Sequence, residues 1–141
     1  MNIQKEENRF MHNILVTGGA GFVGANLCER LVALGYTVTS LDNYFTGTSS
    51  NHVVGVEYVN GSTEEISDIF RTRSFDTIYH LGEYSRVEQS FDDLELVWNF
   101  NKIGTYEVLK YVRKTNAKII YSGSSTKFSD STPEYIQSPY A

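Results

Sequence analysis

Short apolar runs alternate along this chain with longer segments in which apolar residues recur at helical spacing. The first run, residues 13–17, is largely aliphatic and stops at two glycines, which is typical of a strand buried on both faces. Apolar residues then recur every three or four positions from Phe22 to Leu34, and Gly35 follows as a natural helix stop. The pattern therefore predicts a strand followed at once by a helix.

The same alternation continues towards the carboxyl end. Further strands are predicted at residues 36–41, 55–59, 75–81 and 117–122, and further helices at residues 64–73, capped by Ser62 or Thr63, and 92–114. Strands that alternate with helices predict parallel βαβ units with right-handed crossovers. The expected fold is an α/β, doubly wound parallel sheet of about five strands. Residues 1–12 show no periodic pattern and are expected to be a flexible leader before one domain at residues 13–141.

Composition narrows the classes of function. Twelve basic and seventeen acidic side chains among 141 residues give a net charge of −5, which argues against nucleic-acid binding through phosphate neutralisation. The single cysteine, Cys28, excludes an intrachain disulfide and a multi-cysteine zinc site, and a metal site is not expected. No apolar run reaches 18 residues, and the first twelve residues hold no apolar signal region, so no membrane span and a cytoplasmic protein are expected.

The turn between the first strand and the first helix is rich in glycine. Gly18, Gly21 and Gly24 occupy it at intervals of three. A tight turn, a close approach of backbone to a diphosphate and close packing of helix on sheet all require residues without a Cβ. The start of the helix, at Phe22 and Val23, offers free N–H donors and a partial positive charge. These features predict a diphosphate site, and the alternative is a glycine-rich turn that binds nothing.

An acidic residue closes the second predicted strand. Asp42 follows Gly24 by 18 residues, which is near the spacing at which a carboxylate receives the ribose hydroxyls of a dinucleotide. A carboxylate at this point also repels a 2′-phosphate, and its neighbours Asn43 and Tyr44 supply no cation to bind one. The expected cofactor is therefore NAD rather than NADP.

Several segments resemble, in order, the motifs of the extended short-chain dehydrogenase/reductase family, the NAD-dependent nucleotide-sugar epimerases and dehydratases. They are TGGAGFVG at 17–24, DNYFTG at 42–47, YHLG at 79–82, NKIGT at 101–105, IYSGSST at 120–126 and SPYA at 138–141. The resemblance covers residues from about 13 to 141. It implies a Rossmann-like NAD-binding domain of an enzyme that uses transient hydride transfer to NAD, as UDP-glucose 4-epimerases do.

The resemblance also implies roles for individual residues. Cofactor contacts are expected from Asn43, Ser62, Leu81, Gly82 and Asn101, although the family usually has an aspartate where this chain has Ser62. Catalytic roles carry over to two residues near the end of the chain. Tyr140 would be the acid/base that takes the proton of a sugar hydroxyl, and Ser124 the hydroxyl that bonds the same oxygen, with Ser125 as its rival.

The chain departs from the family pattern at its end. The motif's lysine, which lowers the pKa of the tyrosine, would be residue 144, whereas the sequence stops at Ala141. The helix after Tyr140 and the substrate lobe are also absent, so a partial domain of a longer nucleotide-sugar enzyme is expected. The alternatives are a catalytically silent dinucleotide-binding module and a family reductase acting on another alcohol or ketone. A homodimer through the long helix is a further expectation from the resemblance.

Other reactive side chains receive plainer interpretations. His80 ends a buried strand and is expected to be a satisfied core histidine, and Cys28 is expected to be a packing residue. Glu83 replaces a small residue of the family pattern in the loop after the fourth strand, where it would orient a sugar hydroxyl or face solvent. Arg86, in the same loop, is expected to be solvated or to approach a substrate phosphate.

Overall fold

A computed structural model describes residues 12–123 of the chain. Five strands form its sheet: β1 (Asn13–Thr17), β2 (Thr37–Asp42), β3 (Val56–Asn60), β4 (Thr77–His80) and β5 (Lys118–Tyr121). Four α-helical segments connect them: α1 (Phe22–Ala33), α2 (Ile66–Ile69), α3 (Leu94–Val97) and α4 (Thr105–Thr115). Short 3₁₀ turns lie at Ser49–Asn51, Thr63–Glu65 and Gln89–Phe91, and a π-helical segment at Trp98–Gly104 joins α3 to α4.

The strands form one parallel sheet in the order β3-β2-β1-β4-β5. The predicted doubly wound α/β fold is thereby confirmed. The chain runs outwards from β1 to β3 on one side and then returns to the other side for β4 and β5, so the winding reverses between β1 and β4. Thr17 pairs with Leu41 on one neighbour and with His80 on the other, which brings three carboxyl ends to one edge. Ligands of open α/β sheets bind at such a reversal point.

Apolar side chains pack against both faces of the sheet, which explains the uninterrupted apolar run of β1. One layer contains Leu15, Leu41, Ile66, Phe70, Phe75, Ile78, Val108 and Tyr111, and the other contains Ile14, Val16, Cys28, Leu31 and Val38. Successive residues of a strand point to opposite faces, so β1 contributes to both layers. Cys28 lies on α1 and is fully buried in the second of these layers, as the sequence predicts for a packing residue.

Two predicted helices differ from the observed ones. The helix expected at residues 64–73 is a 3₁₀ turn followed by one turn of α-helix, because the backbone leaves helical geometry at Phe70 (φ −107°, ψ 35°). The helix expected at residues 92–114 begins two residues later and is divided by the π-helical segment. A side chain on Gly104 would overlap the Thr63 hydroxyl, so this close approach of the two segments requires glycine at position 104.

Aromatic residues of the long helical region divide into buried and exposed groups. Tyr111 is buried and donates a hydrogen bond of 2.7 Å from its hydroxyl to the carbonyl of Arg73. Trp98 and Tyr106 are each more than half exposed, so neither belongs to the core. None of the helices within residues 12–123 combines the length and the apolar character that crossing a bilayer requires.

Candidate functional site

A cavity of about 350 Å³ opens at the edge of the sheet where β1, β2 and β4 end. Most of the residues predicted to hold a cofactor line this cavity: Gly18, Gly21, Phe22, Val23, Gly24, Asp42, Asn43, Leu81 and Gly82. They come from three segments that are separated in sequence, residues 18–24, 42–43 and 81–82, and the strand register of the parallel sheet brings these segments together. Of the predicted cofactor residues, Ser62 and Asn101 do not line the cavity.

Two glycines of the first turn are required by the path of the backbone. Gly18 adopts a φ of +75°, and a Cβ on it would lie 3.0 Å from the Cα of Gly82. A Cβ on Gly24 would overlap the carbonyl oxygen of Gly18, which closes the turn by accepting a bond from the amide of Gly21 at 3.1 Å. The turn therefore brings the start of α1 against the end of β1, as a diphosphate-binding turn requires.

The backbone path does not explain the glycine at position 21, but its place in the cavity lining does. Its φ of −81° and ψ of 173° are open to any residue, so the conformation does not demand it. It lines the cavity, where a side chain would occupy space next to the helix start. The missing Cβ leaves room for a ligand to approach the backbone.

The amino terminus of α1 presents unused hydrogen-bond donors to the cavity. The first intrahelical bond runs from the amide of Ala25 to the carbonyl of Gly21 at 2.9 Å, and no side chain caps the helix. The amides of Phe22, Val23 and Gly24 precede that bond, and all three residues line the cavity. Twelve residues of aligned peptide dipoles add a partial positive charge. This helix end therefore suits the diphosphate of a dinucleotide.

The carboxylate of Asp42 is fixed in place by two loops. One oxygen accepts the amide of Ala20 at 2.9 Å, and the other accepts the amide of Tyr44 at 2.8 Å. The residue is only 7% exposed and lines the cavity. An ionised carboxylate offers about four acceptor positions, so two bonds leave capacity for the hydroxyls of a ligand. The side chain is thus oriented before any ligand arrives.

Ser62 and Asn101 hold the protein's own backbone instead of facing the cavity. The hydroxyl of Ser62 accepts the amide of Glu64 at 3.4 Å and donates to its carboxylate at 3.1 Å, which is the arrangement of a helix cap. The side-chain oxygen of Asn101 accepts the amide of Tyr84 at 2.6 Å, and its nitrogen donates to the Tyr84 carbonyl at 2.9 Å. Asn101 therefore positions the loop that follows β4.

His80, the last residue of β4, is fully buried, and both of its ring nitrogens form hydrogen bonds. Its Nδ1 lies 2.8 Å from the hydroxyl of Thr17, and its Nε2 lies 3.0 Å from the hydroxyl of Thr105. Burial lowers the pKa of His80, and the nearby Glu83 opposes that shift. This ring is the satisfied core histidine that the sequence predicts.

The sequence singles out Glu83 but does not reveal its contacts. Its carboxylate accepts the hydroxyl of Thr105 at 2.6 Å and the hydroxyl of Tyr121, on β5, at 3.1 Å. It also lines the cavity, as does Arg86. The NKIGT segment offers the one sequence signal for this arrangement, because it contains both Asn101 and Thr105.

The proposed catalytic residues, Ser124 and Tyr140, lie outside the described residues, as does Ser125. Within residues 12–123 no three histidine, cysteine, aspartate or glutamate side chains are grouped so that they could hold a metal ion.

A family model described as the NAD dependent epimerase/dehydratase family matches residues 14–141. The chain belongs to this family. UDP-glucuronic acid decarboxylase 2 of Arabidopsis thaliana is 35% identical over 121 residues, which are 83% of this chain and 26% of that protein. The family assignment agrees with the glycine turn, the fixed Asp42 and the uncapped helix start.

Solved structures of similar proteins share the fold. The UDP-glucose 4-epimerase of Thermotoga maritima, solved with UDP-glucose, has a TM-score of 0.76 and 30% identity, and the match covers 79% of this chain and 38% of that one. The UDP-glucose 4-epimerase of Brucella ovis, solved in complex with NAD, has a TM-score of 0.74 and 27% identity, and the match covers 83% of this chain and 37% of that one. The present chain thus spans well under half the length of these relatives.

Proposed function

We propose that this chain is the NAD-binding portion of a nucleotide-sugar epimerase or dehydratase. The observation that carries the proposal is a single cavity lined both by the uncapped start of α1 and by Asp42, whose carboxylate is fixed. A diphosphate and a ribose diol are neighbouring groups of a dinucleotide. The helix start suits the diphosphate, and the carboxylate of Asp42 suits the ribose diol.

Each part of the cavity has a binding role in this proposal. The amides of Phe22, Val23 and Gly24 donate to the diphosphate, and Gly21 leaves the space through which it approaches. Asp42 accepts the hydroxyls of the adenosine ribose. Because a 2′-phosphate would place two negative charges beside this carboxylate, the site favours NAD over NADP.

The proposed chemistry requires residues beyond the binding site. When bound, NAD would accept a hydride from a sugar carbon and return it. Tyr140 would take the proton of the sugar hydroxyl, and Ser124 would bond the same oxygen. A tyrosine has a pKa near 10 and is a weak base at neutral pH, so it needs a nearby cation, which the family supplies as a lysine four positions later.

The proposal also covers the substrate, the domain bounds, the oligomeric state and the cellular location of the protein. A nucleotide sugar is the proposed substrate of the complete enzyme, and residues 13–141 are proposed to form the partial NAD-binding domain after a leader at residues 1–12. The exposed side chains of Trp98, Tyr106 and Leu109 support a homodimer through the long helical region. A cytoplasmic location suits the free, buried thiol of Cys28.

Calorimetric titration of the chain with NAD⁺ tests the proposed site. The variant G21A puts a methyl group into the cavity at a residue whose backbone conformation tolerates alanine, although the Gly18 carbonyl lies 3.2 Å from the new Cβ. It is expected to weaken NAD⁺ binding at least tenfold while the chain stays folded. The control E29A changes an exposed residue of the same helix and is expected to bind like the unmodified chain. Absence of NAD⁺ binding to the folded, unmodified chain would refute the proposal.

A further inference from the structure

Glu83 and Asp42 are acidic residues that line the same cavity from opposite sides of β1. Glu83 follows β4, whereas Asp42 ends β2, and β1 lies between these two strands. Adjacent strands are about 4.8 Å apart, so the two strand ends are separated by roughly 10 Å. Both residues line the same cavity, and the glycine turn follows the strand that lies between them. A dinucleotide whose adenosine ribose lies at Asp42 would extend its nicotinamide half towards Glu83.

A chain of hydrogen bonds runs from Thr17 through His80 and Thr105 to Glu83. The two amides that donate to the Thr17 hydroxyl fix the donor and the acceptor in each of these bonds. The hydroxyl oxygen of Thr17 accepts the amides of Leu81 and Gly82 at 3.1 and 3.0 Å, so its proton points to Nδ1 of His80. The ring then carries its proton on Nε2 and donates it to Thr105. The hydroxyl of Thr105 in turn donates to Glu83.

Within residues 12–123, the donors to the Glu83 carboxylate are the hydroxyl groups of Thr105 and Tyr121, and both are neutral. Nε2 of His80 is 3.8 Å from the carboxylate, but the ring is buried and its proton is already donated to Thr105. Arg86 is exposed and forms no ion pair with Glu83 within the described residues, so solvent screens its charge. The side chain of Glu83 is itself only 19% exposed. Hydroxyl groups thus hold this carboxylate in place away from bulk solvent, and no lysine or arginine within residues 12–123 forms an ion pair with it.

We propose that Glu83 sets the preference of this site for the oxidised form of the dinucleotide. This inference rests on the proposed function. The nicotinamide ring is a cation when oxidised and neutral when reduced, while the rest of the dinucleotide is unchanged. A fixed carboxylate near the ring attracts the oxidised form and gives no such attraction to the reduced form. Glu83 is thereby a specificity-determining residue, and its effect does not require direct contact with the ring.

The test compares the dissociation constants of NAD⁺, NADH and ADP, measured by calorimetry on the 141-residue chain. E83Q removes the charge and keeps an oxygen that accepts the Thr105 hydroxyl. E88Q removes the same charge from an exposed residue of the same loop that does not line the cavity. ADP lacks the nicotinamide half, so its affinity reports on the fold and on the adenosine end of the site.

In E83Q the ratio of the NADH to the NAD⁺ dissociation constant is expected to fall about tenfold, with ADP affinity unchanged. E88Q is expected to keep the ratio of the unmodified chain. An unchanged ratio in an E83Q chain that binds ADP normally would overturn the role of Glu83 and leave the proposed function standing. Failure of the unmodified chain to bind ADP would overturn the proposed function and this inference together.

Discussion

The carboxylate of Asp42 accepts a hydrogen bond of 2.9 Å from the backbone amide of Ala20. This bond joins the end of β2 to the glycine turn after β1, across 22 positions of sequence. Asp42 therefore has a structural task as well as its proposed binding role, because the same side chain also holds the amide of Tyr44. Substitutions of this residue should affect both stability and ligand preference.

For the dinucleotide, calorimetry is expected to show that the unmodified chain binds NAD⁺ at least tenfold more tightly than NADP⁺. The variant D42A should erode this preference, since it removes the charge that opposes a 2′-phosphate. It should also lower the free energy of unfolding by about 1–3 kcal/mol, because two backbone amides lose their acceptor. D42N keeps an acceptor oxygen and should retain more of the stability. Equal affinities for NAD⁺ and NADP⁺ in the unmodified chain would contradict the role of Asp42.

The buried ring of His80 should make stability depend on pH. Burial lowers its pKa in the folded chain, so the folded state binds fewer protons than the unfolded state, where the pKa is about 6.5. Stability is therefore fully present above about pH 6.5 and is lost as the pH falls below it, by at most about 1.4 kcal/mol per pH unit.

Urea unfolding at pH 7.5, 6.5 and 5.5 measures this loss. The range stays above the titration of Glu57, whose pKa is lowered by its hydrogen bond to Arg73. The variant H80Q should show a flatter dependence of stability on pH than the unmodified chain. Parallel curves for the two proteins would count against a buried neutral ring.

Cys28 should be unreactive until the chain unfolds. Its side chain is fully buried, and burial raises its pKa to about 11. The thiolate is the reactive form, so both access and ionisation oppose reaction at pH 8. Labelling by a thiol reagent is expected to be at least a hundredfold slower in buffer than in denaturing urea. Rapid labelling of the folded chain would be inconsistent with the packing around α1.

Loss of the Asn101 side chain should release the loop after β4. In N101A the amide and carbonyl of Tyr84 both lose their side-chain partner. Hydrogen exchange at residues 82–86 is expected to become at least tenfold faster while exchange in β1 and β2 stays unchanged. N26A is a matched control, since the bond of the Asn26 side chain within the described residues is to the carbonyl of Phe22 in its own helix. Unchanged exchange in N101A would mean that other contacts hold the loop.

Prediction from sequence succeeded where a signal was local in the chain. The glycines at 18 and 24 and the terminal Asp42 are encoded in the strand–turn–helix–strand order, so their meeting at one cavity could be expected. The sequence predicts the helix boundaries less well. The π-helical segment within residues 92–114 ends at Gly104, which lies against Thr63 about forty positions earlier, and no periodicity encodes that contact.

The amino-acid sequence alone determines that this chain alternates strands and helices, that it turns through glycines after β1 and that an acid closes β2. These are properties of neighbouring residues, set by backbone sterics and apolar periodicity. Only the tertiary structure decides that Asn101 and Ser62 hold backbone, and that Thr17, His80 and Thr105 support Glu83. Such roles depend on which side chains meet across the sheet, because hydrogen-bond partners are chosen by distance in space and not by spacing in sequence.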